Sequence, residues 1–107
     1  MGLFGNKTKG DASVLKDSEI IAENVKQLRV VAVKFSECKE CASKVTALAE
    51  TYQYVSPKEN KDTIAKDKKI ADRIGDLQVA VTKVLKTKQC DEVDDIVQKI
   101  KVLIAER

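Results

Sequence analysis

A chain of 107 residues with 43% apolar and 35% charged side chains has the size and balance of one ordinary domain, and aromatics at only 4% leave its core to Val, Ile, Leu and Ala. Thin helical layers suit that palette better than a thick sheet sandwich. The formal charge of +3 sits mostly near the start, where Lys7, Lys9 and Lys16 outnumber Asp11; farther on, Lys66, Lys68, Lys69 and Arg73 are interleaved with Asp62, Asp67, Asp72 and Asp76, so the local fields cancel and no nucleic-acid partner is expected.

Residues 1–16 hold three of the four glycines together with Asn6, Thr8 and Ser13, a composition that resists packing and predicts a flexible tail ahead of a single helical domain over 17–107. Leu3 and Phe4 are too small an apolar pair to anchor the chain alone. Met1-Gly2 is followed at the sixth position by Asn6, where a myristoylation motif needs Ser or Thr. No apolar run has the length of a bilayer span or a secretory signal, so no membrane insertion and a cytoplasmic location are expected.

Asp17 or Ser18 is suited to cap a first helix, with Glu19 near its positive end. From there to Tyr54 neither glycine nor proline occurs, and one long helix is the simplest reading. Its apolar positions form two seams, Ile21, Val25, Leu28, Ala32 and Phe35, then Cys38, Ala42, Val45, Ala49 and Tyr52. Two steps of three fall together between Ala32 and Cys38, which marks either an overwound continuous helix or the meeting of two helices, with Ser36 as a new cap. Continuity is preferred because 34–37 contains none of the usual breakers.

Ser56-Pro57-Lys58-Glu59 has the form of a capping serine, a proline at the first helical position and a glutamate reaching back, so a second long helix is predicted from Pro57 to about Lys88. Ile70, Ile74, Leu77, Val81 and Val84 form its buried seam, and Gly75 within it predicts a close helix crossing. A last helix follows Asp91, with Glu92, Asp94 and Asp95 in its first turn and Val93, Ile96, Val97, Ile100, Leu103 and Ile104 on its apolar face. The fold class is therefore all-α: an antiparallel bundle of three helices, a long hairpin plus a shorter C-terminal helix, with an up-down four-helix bundle as the alternative. In the three-helix form the hairpin tip has only two layers, leaving Leu48, Tyr52, Tyr54 and Val55 as a candidate surface for a protein partner or for self-association as a homodimer.

Residues that do chemistry are scarce. There is no histidine or tryptophan, and no phosphate loop, nucleophile elbow or metalloprotease motif, so no catalytic residue, metal or cofactor is assigned. The one lead is Cys38-Lys39-Glu40-Cys41. Preceded by Val30-Val31-Ala32-Val33-Lys34-Phe35, it resembles the strand, C-x-x-C, helix order of thioredoxin-like redox proteins, which would imply a sheet; the sole proline, Pro57, lies inside a capping motif and no later strands follow. On a helix, Cys38 and Cys41 share a face and form a vicinal redox pair or half of a thiolate metal site. Cys90 is the third thiol, and it reaches them only if the first helix breaks near Ser36. Three cysteines without a secretion signal predict reduced thiols rather than a disulfide framework. The functional expectation is a small non-enzymatic interaction or scaffolding domain acting through its helical surface, with a thiol-redox or metal-responsive protein using Cys38, Cys41 and Cys90 as the alternative.

Overall fold

The computed structural model describes residues 16–107, so the predicted tail lies outside the described residues apart from Lys16. Four helices follow one another: α1 (Asp17–Lys34), α2 (Lys39–Tyr52), α3 (Lys61–Thr87) and α4 (Asp91–Glu106). The chain is an antiparallel all-α bundle, and its count is the four of the alternative rather than the preferred three. The strand needed for the thioredoxin-like reading is absent among the described residues, because Val30–Lys34 is the last turn of α1.

The break at 35–38 needs neither glycine nor proline. Phe35 N–H is shared between the carbonyls of Val31 and Ala32, Ser36 N–H donates to Val33 and Cys38 N–H donates to Phe35 at 2.8 Å, a tightened turn that satisfies the helix end locally. Cys38 then leaves the helical region (φ −126°, ψ 83°) and stands immediately before α2. The gain is in burial. A continuous helix cannot aim both seams at one core across two consecutive steps of three, whereas folding back buries Leu28, Val31 and Phe35 together with Cys41, Val45, Leu48, Ala49 and Tyr52.

Two hairpins result, α1 with α2 and α3 with α4. They pack side by side with α1 against α3 and α2 against α4, while α1–α4 and α2–α3 lie on the diagonals. Residue pairs such as Asn24 with Asp67, Gln27 with Gln78 and Lys44 with Asp94 show that α1 runs parallel to α3 and α2 parallel to α4. The core is one continuous cluster reaching from Ile21 to Ile100, inside an envelope of 45 × 31 × 17 Å.

Helix starts differ from the sequence expectation in instructive ways. Lys16, not Asp17 or Ser18, is the residue before α1, and its N–H donates to the Glu19 carboxylate at 3.1 Å. Asp17 is instead fully buried. At α3 the cap is Asn60, whose side-chain oxygen accepts from Thr63 N–H at 2.8 Å, and Ser56–Glu59 stays in the connection. That segment is held by tertiary partners, since Lys58 N–H donates to Asp17 and the Ser56 carbonyl accepts from Arg107. Lys88 ends α3 in a left-handed conformation (φ 60°) that lets its N–H bond back to Val84. Gly75 marks no close crossing, because a Cβ added there meets nothing within 4 Å.

The tip expected as a partner surface is better covered than two layers would allow. Leu48 and Tyr52 are buried, Val55 is half-buried and only Tyr54 is open, at 80% exposure. Arg107, the residue after α4, adds to the cover by reaching the Ser56 carbonyl and Asp67, which also accepts from Tyr52.

Candidate functional site

The short connections α1–α2 and α3–α4 lie at the same end of the molecule, and the three cysteines meet there. Cys38 precedes α2, Cys41 is in its first turn and Cys90 precedes α4, so all three stand where the positive ends of two helix dipoles converge. Cys41 and Cys90 are joined by a disulfide across a sequence separation of 49, and Cys38 is a free, buried thiol. This corrects the expectation of three reduced thiols. That expectation came from the odd count and the missing secretion signal, whereas the pairing comes from the break at 35–38, which carries the first turn of α2 to the foot of α4.

Cys38 Sγ lies 2.9 Å from Cys41 Sγ and 3.5 Å from Cys90 Sγ. Attack of a thiolate on a disulfide runs along the bond axis, which would put the far sulfur about 5 Å from the attacking one given an S–S bond near 2.05 Å. Here the three sulfurs form a compact triangle instead. Cys38 must therefore swing before it can exchange. The exchange itself is electron-neutral: a Cys38–Cys41 bond forms, the Cys41–Cys90 bond breaks and Cys90 leaves as the thiolate that takes up the proton.

The sulfurs belong to the apolar core, with Cys41 fully buried and Cys38 and Cys90 only 8% and 9% exposed. Charged groups ring the cluster but are paired with one another. Lys44 contacts Asp94 and, at 3.8 Å, Glu40; Lys88 reaches Glu37 at 3.4 Å and Lys83 reaches Glu92 at 3.2 Å. The hydrogen bond to Asp94 holds the Lys44 ammonium above its ordinary pKa. Among the described residues, Cys38, Cys41 and Cys90 are the one set of three or more Cys, His, Asp or Glu side chains whose donor atoms lie within 4.8 Å of one another.

A second polar cluster closes the opposite end, and sequence reasoning missed it. Arg107 directs Nε and Nη2 to the two oxygens of Asp67 at 2.9 and 3.1 Å, and Nη2 also meets Asp17. Tyr52 Oη donates to Asp67 at 2.6 Å and accepts from Asn24 Nδ2 at 3.1 Å, which also reaches the Asp67 carbonyl. Both carboxylates are fully buried, and Asp17 Oδ1 has no hydrogen-bond partner. Burial pushes the Asp67 carboxyl up to about 6, the adjacent Asp17 pushes the same way, and Tyr52 and Arg107 oppose them. Burial likewise lifts the Tyr52 phenol above its ordinary range, with the Asp67 hydrogen bond adding to it. One signal was available: stepping back from Ile74 and Ile70 by four and three reaches Asp67 and then Thr63, so the seam itself continues into polar residues.

Compared with known proteins, the chain matches no protein-family model, no curated protein and no solved structure.

Proposed function

We propose that this chain is a redox-responsive helical module whose working part is the cluster of Cys38, Cys41 and Cys90. The observation that carries the reading is a disulfide between two hairpins with a third thiol 2.9 Å from one of its sulfurs. A purely structural bond needs no such neighbour. In the reduced state Cys41 and Cys90 pass two electrons and two protons to a small disulfide, which leaves as two thiols, and α2 becomes bonded to the foot of α4. A dithiol reverses the step. The α2–α4 seam is the least extensive of the four helix pairings, so a covalent tie there has the greatest leverage over how the hairpins dock. The interaction or scaffolding role expected from the sequence is then the output, a helical surface set by the bond.

The test is disulfide mapping by peptide mass spectrometry after equilibrating the folded protein in glutathione buffers of graded poise. A reversible change from free thiols to a Cys41–Cys90 crosslink supports the reading. Absence of that crosslink at every poise in the folded protein overturns it.

A further inference from the structure

We propose that, once the Cys41–Cys90 bond is reduced, the three thiols form a sulfur-only site for a trivalent metalloid of the arsenic(III) class. The inference rests on the reversible reduction above and concerns the same three residues. The triangular arrangement of the sulfurs is the first argument: Cys38 stands beside the disulfide, 2.9 and 3.5 Å from its two atoms, so parting the bonded pair by reduction leaves three donors in one corner of the core.

Ligand count is the second. A zinc site completes four ligands, and this chain offers no histidine, while among the described residues no carboxylate oxygen joins the three sulfurs within 4.8 Å and those of Glu37, Glu40 and Asp94 are engaged by Lys88 and Lys44. Three soft donors without a hard one select a thiophilic centre that is content with three bonds.

Charge decides within that class. The sulfurs sit in the apolar core, where negative charge beyond what the two helix N-termini offset is costly. Three thiolates around a monovalent soft cation carry two negative charges and around a divalent one carry one, but around arsenic(III) they carry none. The reaction balances without a redox step: arsenous acid and three thiols give the trithiolate and three waters.

Protein reduced with a phosphine, freed of reductant and mixed with arsenite should gain one arsenic less three hydrogens in native mass spectrometry, and its three cysteines should no longer react with a thiol label. Cys38→Ser, Cys41→Ser and Cys90→Ser should each weaken retention by more than about a hundredfold, beyond the range seen for changes outside the ligand set. Far-UV circular dichroism identifies any variant that has lost its fold, and in the unaltered protein arsenite should protect Cys38, Cys41 and Cys90 together. Three results would overturn the proposal: no arsenic retained by the folded reduced chain, full affinity in Cys90→Ser with only Cys38 and Cys41 consumed, or tight zinc binding in a dimer that supplies extra ligands. Disulfide mapping is independent of all three, so loss of the metalloid site leaves the redox reading standing, while failure of the redox reading shows in the mapping itself.

Discussion

Removing the Cys41–Cys90 bond should cost stability in proportion to the length of chain it closes. With a sequence separation of 49, the chain-entropy relation gives about 4 kcal/mol as the stabilisation conferred through the unfolded state, against measured bonds that cluster at roughly 2–4 kcal/mol. Cys41→Ser combined with Cys90→Ser should therefore unfold in urea about 2 M earlier than the oxidised parent, taking a slope near 1.5 kcal/mol per M for so small a domain. Under reductant the two proteins should nearly coincide. Single replacements separate the pairings. In Cys90→Ser the remaining pair, Cys38 and Cys41, closes a loop of separation 3 and retains under about 2 kcal/mol, whereas in Cys41→Ser a bond from Cys38 to Cys90 spans 52 and retains nearly the full effect. A urea midpoint for the oxidised parent that reductant does not move would refute the reasoning, because the hairpins would then be docked as firmly without the tie as with it.

Three further outcomes follow from the opposite end and from α3. Arg107→Met leaves Asp17 and Asp67 as buried carboxylates without their cation and should lower stability by about 3–5 kcal/mol, with Arg107→Lys recovering only part because one ammonium cannot span both acids; equilibrium unfolding checks both. Asp67 holds its proton up to a pH of about 6 in the folded chain and releases it near 3.8 when unfolded, so between those values the folded state binds more protons. Its contribution to stability is then present below about pH 4 and lost as pH rises through 6, and a parent-minus-Asp67→Asn comparison that shows no such slope would contradict the assignment. Gly75→Ala should raise stability by about 0.5–1 kcal/mol, since a helix interior gains from the methyl and the space is open; a loss in thermal melts would mean that another element approaches there.

Periodicity made the helices legible and left their partners obscure. The seam Ile70, Ile74, Leu77, Val81 and Val84 is buried as read, and the start at Asp91 and the apolar face of α4 are where the pattern put them. The turn at 35–38 was visible as a phase slip but not as a break, because its cost is met by tertiary burial that no local residue announces. Pro57 misled for a related reason: Asn60 is an equally good cap, and what keeps Ser56–Glu59 out of the helix is Asp17 and Arg107, residues distant in sequence. Asp67 looked like one member of a mixed-charge surface, and only its place in the seam betrayed it. Cys90 joined the other thiols only under the four-helix alternative, so the candidate site was legible exclusively through topology.

Each hairpin is built from residues close in sequence, and only their docking brings distant segments together. Pairings of low sequence separation cost less loop-closure entropy than the joining of the halves. Cys41 belongs to one half and Cys90 to the other, so in the folded chain their bond spans the seam between the halves. The Cys41–Cys90 bond is accordingly a marker of assembly: a folded chain that carries it holds its two halves together, and cutting it frees them to part without unmaking either hairpin's local pairing.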